Sequence, residues 1–228
     1  GPYWAECNVG ATKPEEYGYY FWWGDTVGYA REGGTWTSDD YSGYSGYFGV
    51  TWVSSTGARM GSSPFSESSC PTYIKTTDEL QSAGYIDATG NLVAKYDAAT
   101  AHLGAPWRMP TDAEFAALIN NCTTTWTMRN GVYGWLVTGK GAFSTKSIFL
   151  PAAGGGSGSG LYDSGSFGYY WSPRRIRAIP TTRGTSTSIR AISSGTTSTA
   201  TTVSRCVLSE DLPSSARIAR ASDSFRLI

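Results

Sequence analysis

Apolar residues fall at clear helical spacing at one place in the chain. Phe115, Leu118 and Ile119 share a helix face, and the residues before them are built as a helix start. Thr111 followed by Glu114 is a capping box: the Thr hydroxyl accepts from the Glu114 N–H, and the Glu carboxylate reaches back to the Thr111 N–H. Asp112 adds negative charge where the helix dipole favours it. Pro110 holds Met109 out of the helical region, so the chain enters extended and turns sharply. This pattern predicts a helix over Thr111–Asn121. A second, shorter helix is predicted from Asp97 to Leu103, with Asp97 as N-cap and Gly104 beyond its end.

Elsewhere the pattern is that of strands and turns. Tyr3 to Thr12 reads as an opening strand and turn. Tyr17 to Asp25 is a dense aromatic run. It suits a strand buried on both faces or a hairpin that packs rings against glycine, with a carbohydrate-stacking platform as the sharper alternative. Residues 26–69 are rich in Gly, Ser, Thr and Tyr and read as long loops. Val132–Thr138 and Ser147–Leu150 read as strands. The run Gly154 to Gly160 reads as a flexible surface loop. It has only the composition of a phosphate loop, because no Lys-Ser/Thr pair and no helix follow it. Tyr162 to Trp171 resumes strand-like aromatics. The fold class expected is α+β, with two short helices around small antiparallel sheets and long loops, in one domain over residues 1–228.

Composition adds an asymmetry that the neutral total hides. Residues 1–173 hold 9 Lys/Arg against 15 Asp/Glu, whereas residues 174–228 hold 9 Arg, no Lys and 3 acids. Of the 32 aromatic residues, only Phe225 lies beyond Trp171. The zero net charge argues against nucleic acid as the main partner. No run is long and apolar enough to span a membrane as a helix. Gly1-Pro2 reads as a protease-cleavage scar.

Candidate reactive chemistry is sparse. Cys7, Cys70, Cys122 and Cys206 are widely spaced with no C-x-x-C pair, which disfavours zinc and leaves disulfides or buried thiols open. His102 is the only histidine, and nothing places a nucleophile near it. Asp39-Asp40 suits a solvated loop better than a calcium site. No catalytic residue, metal or cofactor is expected.

Three motifs in order carry a resemblance. They are Y-W-A-E-C-N-V-G-A from Tyr3, W-R-M-P-T-D-A-E-F from Trp107, and F-L-P-A-A-G from Phe149 with G-Y-Y-W-S from Gly168. Together these resemble a family of surface and phage proteins of gut bacteria, of the Fibrobacter major paralogous domain kind. Several of its members are variable proteins of diversity-generating retroelements. The resemblance covers Tyr3 to Ser172. It implies a C-type-lectin-like fold of the formylglycine-generating-enzyme-like branch, with residues 1–172 as scaffold and 173–228 as the variable region. The fold hosts both binders and enzymes, so function must come from the site.

From Pro173 to Ser204 the text turns to Ser, Thr, Arg, Ala, Ile and Gly, without an aromatic, Asn or Lys. The family pattern there is rich in aromatics and Asn. Two readings account for the departure. Adenine-directed mutagenesis converts Asn codons to those for Ser, Thr, Ile, Arg, Gly and Ala. Alternatively the segment is a shifted reading frame: back-translated and read two nucleotides on, it permits a peptide containing Y-Y-A-W-Y-L-N-F-N-S. Peptide mapping across residues 165–228 distinguishes the two.

The function expected is a non-enzymatic display protein that binds a protein or glycan ligand on a cell surface. It would work outside the cell, as a phage receptor-binding protein or a bacterial adhesin. Tyr162, Phe167 and Tyr169 are the candidate aromatic anchors. Arg174, Arg175, Arg177, Arg183 and Arg190 are candidates for charge-assisted hydrogen bonds to the ligand. A calcium-dependent lectin and a formylglycine-generating-type oxidase are the alternatives. The first lacks the usual Glu-Pro-Asn or Gln-Pro-Asp motif, and the second lacks a convincing cysteine match.

Overall fold

The computed structural model describes residues 2–38, 45–60, 64–73, 75–158 and 160–174, together with the backbone of 189–192, 200–202, 207–208 and 224–226. In chain order the strands begin with β1 (Tyr3–Ala5), β2 (Tyr20–Phe21), β3 (Tyr29–Glu32), β4 (Thr35–Ser38), β5 (Ser45–Phe48), β6 (Thr51–Ser54) and β7 (Arg59–Met60). Helices α1 (Thr77–Ser82) and α2 (Ala98–Leu103) follow, then β8 (Trp107–Arg108) and α3 (Asp112–Asn121). Next come β9 (Thr123–Arg129), β10 (Val132–Thr138), β11 (Ser147–Pro151), β12 (Gly155–Ser157), β13 (Gly160–Tyr162) and β14 (Gly168–Trp171). The last are β15 (Ile189–Ile192), β16 (Ala200–Thr202), β17 (Val207–Leu208) and β18 (Ser224–Arg226). The class is α+β: few helices, and sheets that are mostly antiparallel.

Three sheets form. One has the order β18-β1-β17-β8, one is β11-β10-β9, and the third joins many short strands in the order β4-β5-β13-β12-β16-β2-β3-β6-β7. From the third sheet β14 branches, pairing in parallel with both β15 and β16.

The predicted helix starts are present atom for atom. Thr111 Oγ1 accepts the Glu114 N–H at 3.2 Å, and Glu114 Oε2 accepts the Thr111 N–H at 2.8 Å. The same carboxylate takes a fork from Arg108, whose Nη2 lies 2.7 Å from Oε1 and Nη1 2.9 Å from Oε2. The strand before the helix and the helix's first turn are therefore locked by one side chain. Burial alone would raise the Glu114 carboxyl, but the Arg108 fork and the Thr111 N–H outweigh it and hold it below the usual glutamate range. A carboxylate lowered in the fold stabilises above its unfolded pKa, and that stability is lost as pH falls through the folded value. Glu114→Gln is therefore expected to cost about 1–2 kcal/mol at pH 7. The deficit should shrink as acid protonates the wild-type carboxylate. Urea melts at neutral pH and at about pH 3 check this, and an equal loss at both would contradict it.

Asp97 caps α2 as predicted, accepting the Thr100 N–H at 2.9 Å, and Gly104 ends the helix with φ 74°. A third helix, α1, was not predicted, although Thr76 and Glu79 form a second capping box by the same rule.

Of the aromatic run only Tyr20–Phe21 is strand, and it is buried on both faces. Tyr20 and Trp22 enter one cluster with Trp52, Phe65, Ala153 and Leu161. Phe21 and Trp23 enter another with Val9, Leu80, Trp107, Met109 and Trp171. Tyr20 and Phe21 point to opposite faces of β2, and Trp22 and Trp23 just beyond it keep the same alternation, so four consecutive aromatics serve two cores. Tyr20, Phe21, Trp22 and Trp23 are all buried, and they offer no platform for a sugar.

Two loop predictions are corrected. The described residues of the stretch 26–69 hold five short strands. Its Thr, Tyr, Trp and Val residues pair as strands, and its glycines make the turns, with Gly33 and Gly34 at φ 67° and 85° between β3 and β4. The run Gly154 to Gly160 is no surface loop either. It forms β12 and the start of β13, and Gly154, Gly155 and Gly156 are buried. Glycine is used there for close approach: a Cβ on Gly156 would lie 2.5 Å from the Phe65 ring, and one on Gly154 2.1 Å from the Tyr162 carbonyl oxygen.

Strand β9 was also missed. Asn130-Gly131, with φ 48° and 81°, closes a two-residue hairpin between β9 and β10, and this dipeptide is the sequence signal for it.

Candidate functional site

The candidate site is built where β13 leaves the third sheet and β14 begins. Tyr162 ends β13 opposite Gly46 of β5. A Cβ at Gly46 would meet the Leu161 carbonyl oxygen at 2.0 Å, so only glycine lets the two backbones come this close. The Tyr162 ring packs edge-on against Phe48, centroids 5.5 Å apart.

Asp163 then turns the chain. It adopts φ 59°, a left-handed conformation that Asp tolerates better than most residues. Its N–H donates to Ser45 O at 2.7 Å, and its carbonyl accepts from the N–H groups of Ser166 and Phe167 at 3.1 and 2.9 Å. The turn is tied to the scaffold twice more. Gly165 N–H donates to Ala152 O at 2.7 Å, and Gly154 N–H donates to Phe167 O at 2.8 Å.

Alternation along β14 decides which rings face outward. Tyr170 is fully buried, with its hydroxyl donating to Pro151 O. Trp171 is buried and donates from Nε1 to Phe21 O at 2.8 Å. In return Trp23 Nε1 donates to Ser172 O at 3.0 Å. These reciprocal indole bonds fix the strand at Ser172, where the residue pool changes. Phe167 and Tyr169 lie on the face opposite Tyr170, the one Trp171 shares; unlike Trp171, they are half-buried. Their rings are near parallel, 4° apart in plane with centroids 6.1 Å apart. The Tyr169 hydroxyl donates to Asp163 Oδ2 at 2.7 Å.

The structure thus gathers Tyr162, Phe167 and Tyr169 around one turn. Parallel pairing of β14 with β15 sets the backbone of Arg190 beside Tyr169. Arg174 is exposed but stands apart, its backbone bridged to Asn91. Arg175, Arg177 and Arg183 lie outside the described residues, as do Asp39, Asp40 and Cys206. Sequence reasoning missed Asp163 and Phe48. The Asp163-Ser164-Gly165 turn after a strand was the available signal for the first. Nothing local marked the second, which reaches the site through sheet pairing.

His102, Cys70 and Cys122 pack within the scaffold. His102 Nε2 lies 2.8 Å from Thr26 O, and its ring packs against Tyr19 and Phe21. It docks α2 on the aromatic strand. The Cys70 thiol is half-buried near Thr72, and burial pushes its pKa up. Burial does the same at Cys122, in the cluster that α3 covers. A thiol raised in this way is a poor nucleophile at neutral pH. Among the described residues, no group of three or more His, Cys, Asp and Glu side chains converges as a metal site would require. No helix among them is long and apolar enough to cross a membrane. The gathered groups are half-buried rings and one carboxylate on a rigid turn, an arrangement suited to binding by contact.

No family model, curated protein or solved structure matched this chain.

Proposed function

We propose that this chain is a non-enzymatic display domain that binds a protein or glycan on a cell surface. In this reading it works outside the cell, on a phage virion or a bacterial surface. The fold is the C-type-lectin-like one that the sequence motifs resemble, and residues 173–228 are the diversified part. One observation supports the reading above the others. The aromatic cluster is held by a turn hydrogen-bonded on all sides, immediately before the residue pool changes, and the strand that follows the change is paired beside it. A rigid turn is what a binding surface requires if the neighbouring residues vary. Half-buried Tyr and Phe give large contact area at little entropic cost, and Arg adds charge-assisted hydrogen bonds.

The test is a screen against whole bacterial cells and arrays of glycans and surface proteins, followed by titration of the ligand found. Tyr169→Ala and Phe167→Ala are each expected to weaken binding by about tenfold or more, in the range of interface hot spots. The triple replacement of Arg174, Arg175 and Arg177 by Ala is expected to weaken it further while the thermal melt stays put. Full affinity in all of these variants would overturn the assignment of the surface.

A further inference from the structure

The three-stranded sheet β11-β10-β9 ends at β9. Its hairpin closes at Arg129 opposite Val132, and Met128, Thr127, Trp126, Thr125 and Thr124 face Tyr133, Gly134, Trp135, Leu136 and Val137 in turn. In a two-residue hairpin the closing pair exchanges both hydrogen bonds, and bonded and unbonded pairs then alternate. The N–H and C=O groups of Thr124, Trp126 and Met128 therefore point away from β10. Among the described residues they meet no other backbone group.

Natural edges of this length are normally guarded by charge, proline or a bulge. This one reads Thr-Thr-Thr-Trp-Thr-Met-Arg, with a single charge at its end. That charge is already satisfied, with Arg129 Nε 3.3 Å from Glu15 Oε2. The edge also borders an apolar patch on one face of the sheet. Met128 is 50% exposed and Tyr133 44% exposed. Trp126 lies parallel to Tyr133, 3° apart in plane, and edge-on to Trp135 at 5.5 Å.

We infer that two copies of this chain pair edge to edge through β9, antiparallel, with a two-fold axis at Trp126. The occupant follows from the chemistry. Outward amides at every second residue call for an extended strand, and an uncharged edge is complementary to itself. The bonding phase allows only registers that pair outward groups with outward groups, and the one that pairs all three residues sets Trp126 opposite Trp126 of the second copy and Thr124 opposite its Met128. The two Arg129 side chains fall at opposite ends of the junction. The exposed rings of both copies then merge into one aromatic row across a six-stranded sheet. Such an interface is isologous and closes at two copies. It would present two binding surfaces together, so that a cell-surface ligand is held with avidity.

Sedimentation velocity from about 1 to about 100 µM, the range of weak dimers, tests this. The wild type is expected to shift from monomer towards dimer. Thr124→Lys with Met128→Lys places like charges opposite each other at both ends of the pairing, and this variant should stay monomeric. Thr124→Glu with Met128→Lys places opposite charges there and should still dimerise, which a generic gain in solubility would not produce. Hydrogen exchange on the wild type gives an independent readout: the amides of Thr124, Trp126 and Met128 should slow as concentration rises. A wild type that remains monomeric throughout overturns the inference. So does a lysine variant that still dimerises, or a Glu/Lys variant that does not.

Discussion

Replacing Phe65 with alanine is expected to destabilise the protein by about 3–5 kcal/mol, the range for a large buried aromatic. Phe65 is 0% exposed and touches three aromatic neighbours. Its ring lies edge-on to Trp52 at 4.8 Å, to Tyr29 at 5.5 Å and to Trp22 at 5.9 Å. Beneath it lies Gly156, so the floor of the resulting cavity is backbone and cannot collapse to fill it. The companion change is Gly156→Ala. Its Cβ would sit inside the Phe65 ring contact, and overpacking of this kind costs about 1–3 kcal/mol. In the Phe65→Ala background the same Cβ meets empty space, so most of that cost should vanish. A double-mutant cycle by urea denaturation reads the coupling directly. Additive losses would show that the two residues do not share this contact in solution.

The second large effect is expected at Asp97. Its carboxylate is buried, 4% exposed, and serves two elements at once. One oxygen caps α2 through the Thr100 N–H; the other accepts the Met109 N–H of the segment after β8 at 2.9 Å. Asp97→Ala removes the cap and leaves the Met109 N–H buried without an acceptor, for a combined loss of about 2–4 kcal/mol. Asp97→Asn should not rescue it. If its oxygen takes the cap, its NH2 group faces the Met109 N–H, donor against donor. Burial pushes the Asp97 carboxyl above the usual aspartate range, and the bonds from Met109 and Thr100 offset only part of that. A raised carboxylate works against the fold when ionised and is relieved on protonation, so its pH dependence is opposite in sign to that of Glu114. Urea titrations of wild type, Ala and Asn variants at pH 7 check the argument. A loss below about 1 kcal/mol for Asp97→Ala, the size of a cap alone, would show that the Met109 bond carries no weight.

The proposed binding surface was partly legible in the chain. Tyr162, Phe167 and Tyr169 are aromatics in a strand-like pattern, and the structure brings all three to one turn. Arg190 joins Tyr169 only through parallel pairing of strands twenty-one residues apart in sequence, by register Tyr169 to Arg190. Phe48 reaches Tyr162 across the β5–β13 pair, and no local rule connects residues so distant. Arg174 is close in sequence to the site, yet the bridge to Asn91 ties its backbone to another part of the molecule.

What the chain determined by itself is what depends on neighbours within a turn or two. The caps at Thr111 and Asp97 and the stop at Gly104 all follow from local side-chain and backbone groups a few residues away. Tertiary structure decided the meaning of glycine. The same residue type makes an open turn at Gly33 and a buried strand at Gly156, because what matters there is the Phe65 ring pressed against the missing side chain. Composition cannot distinguish the two, since the deciding atom belongs to a residue about ninety positions away.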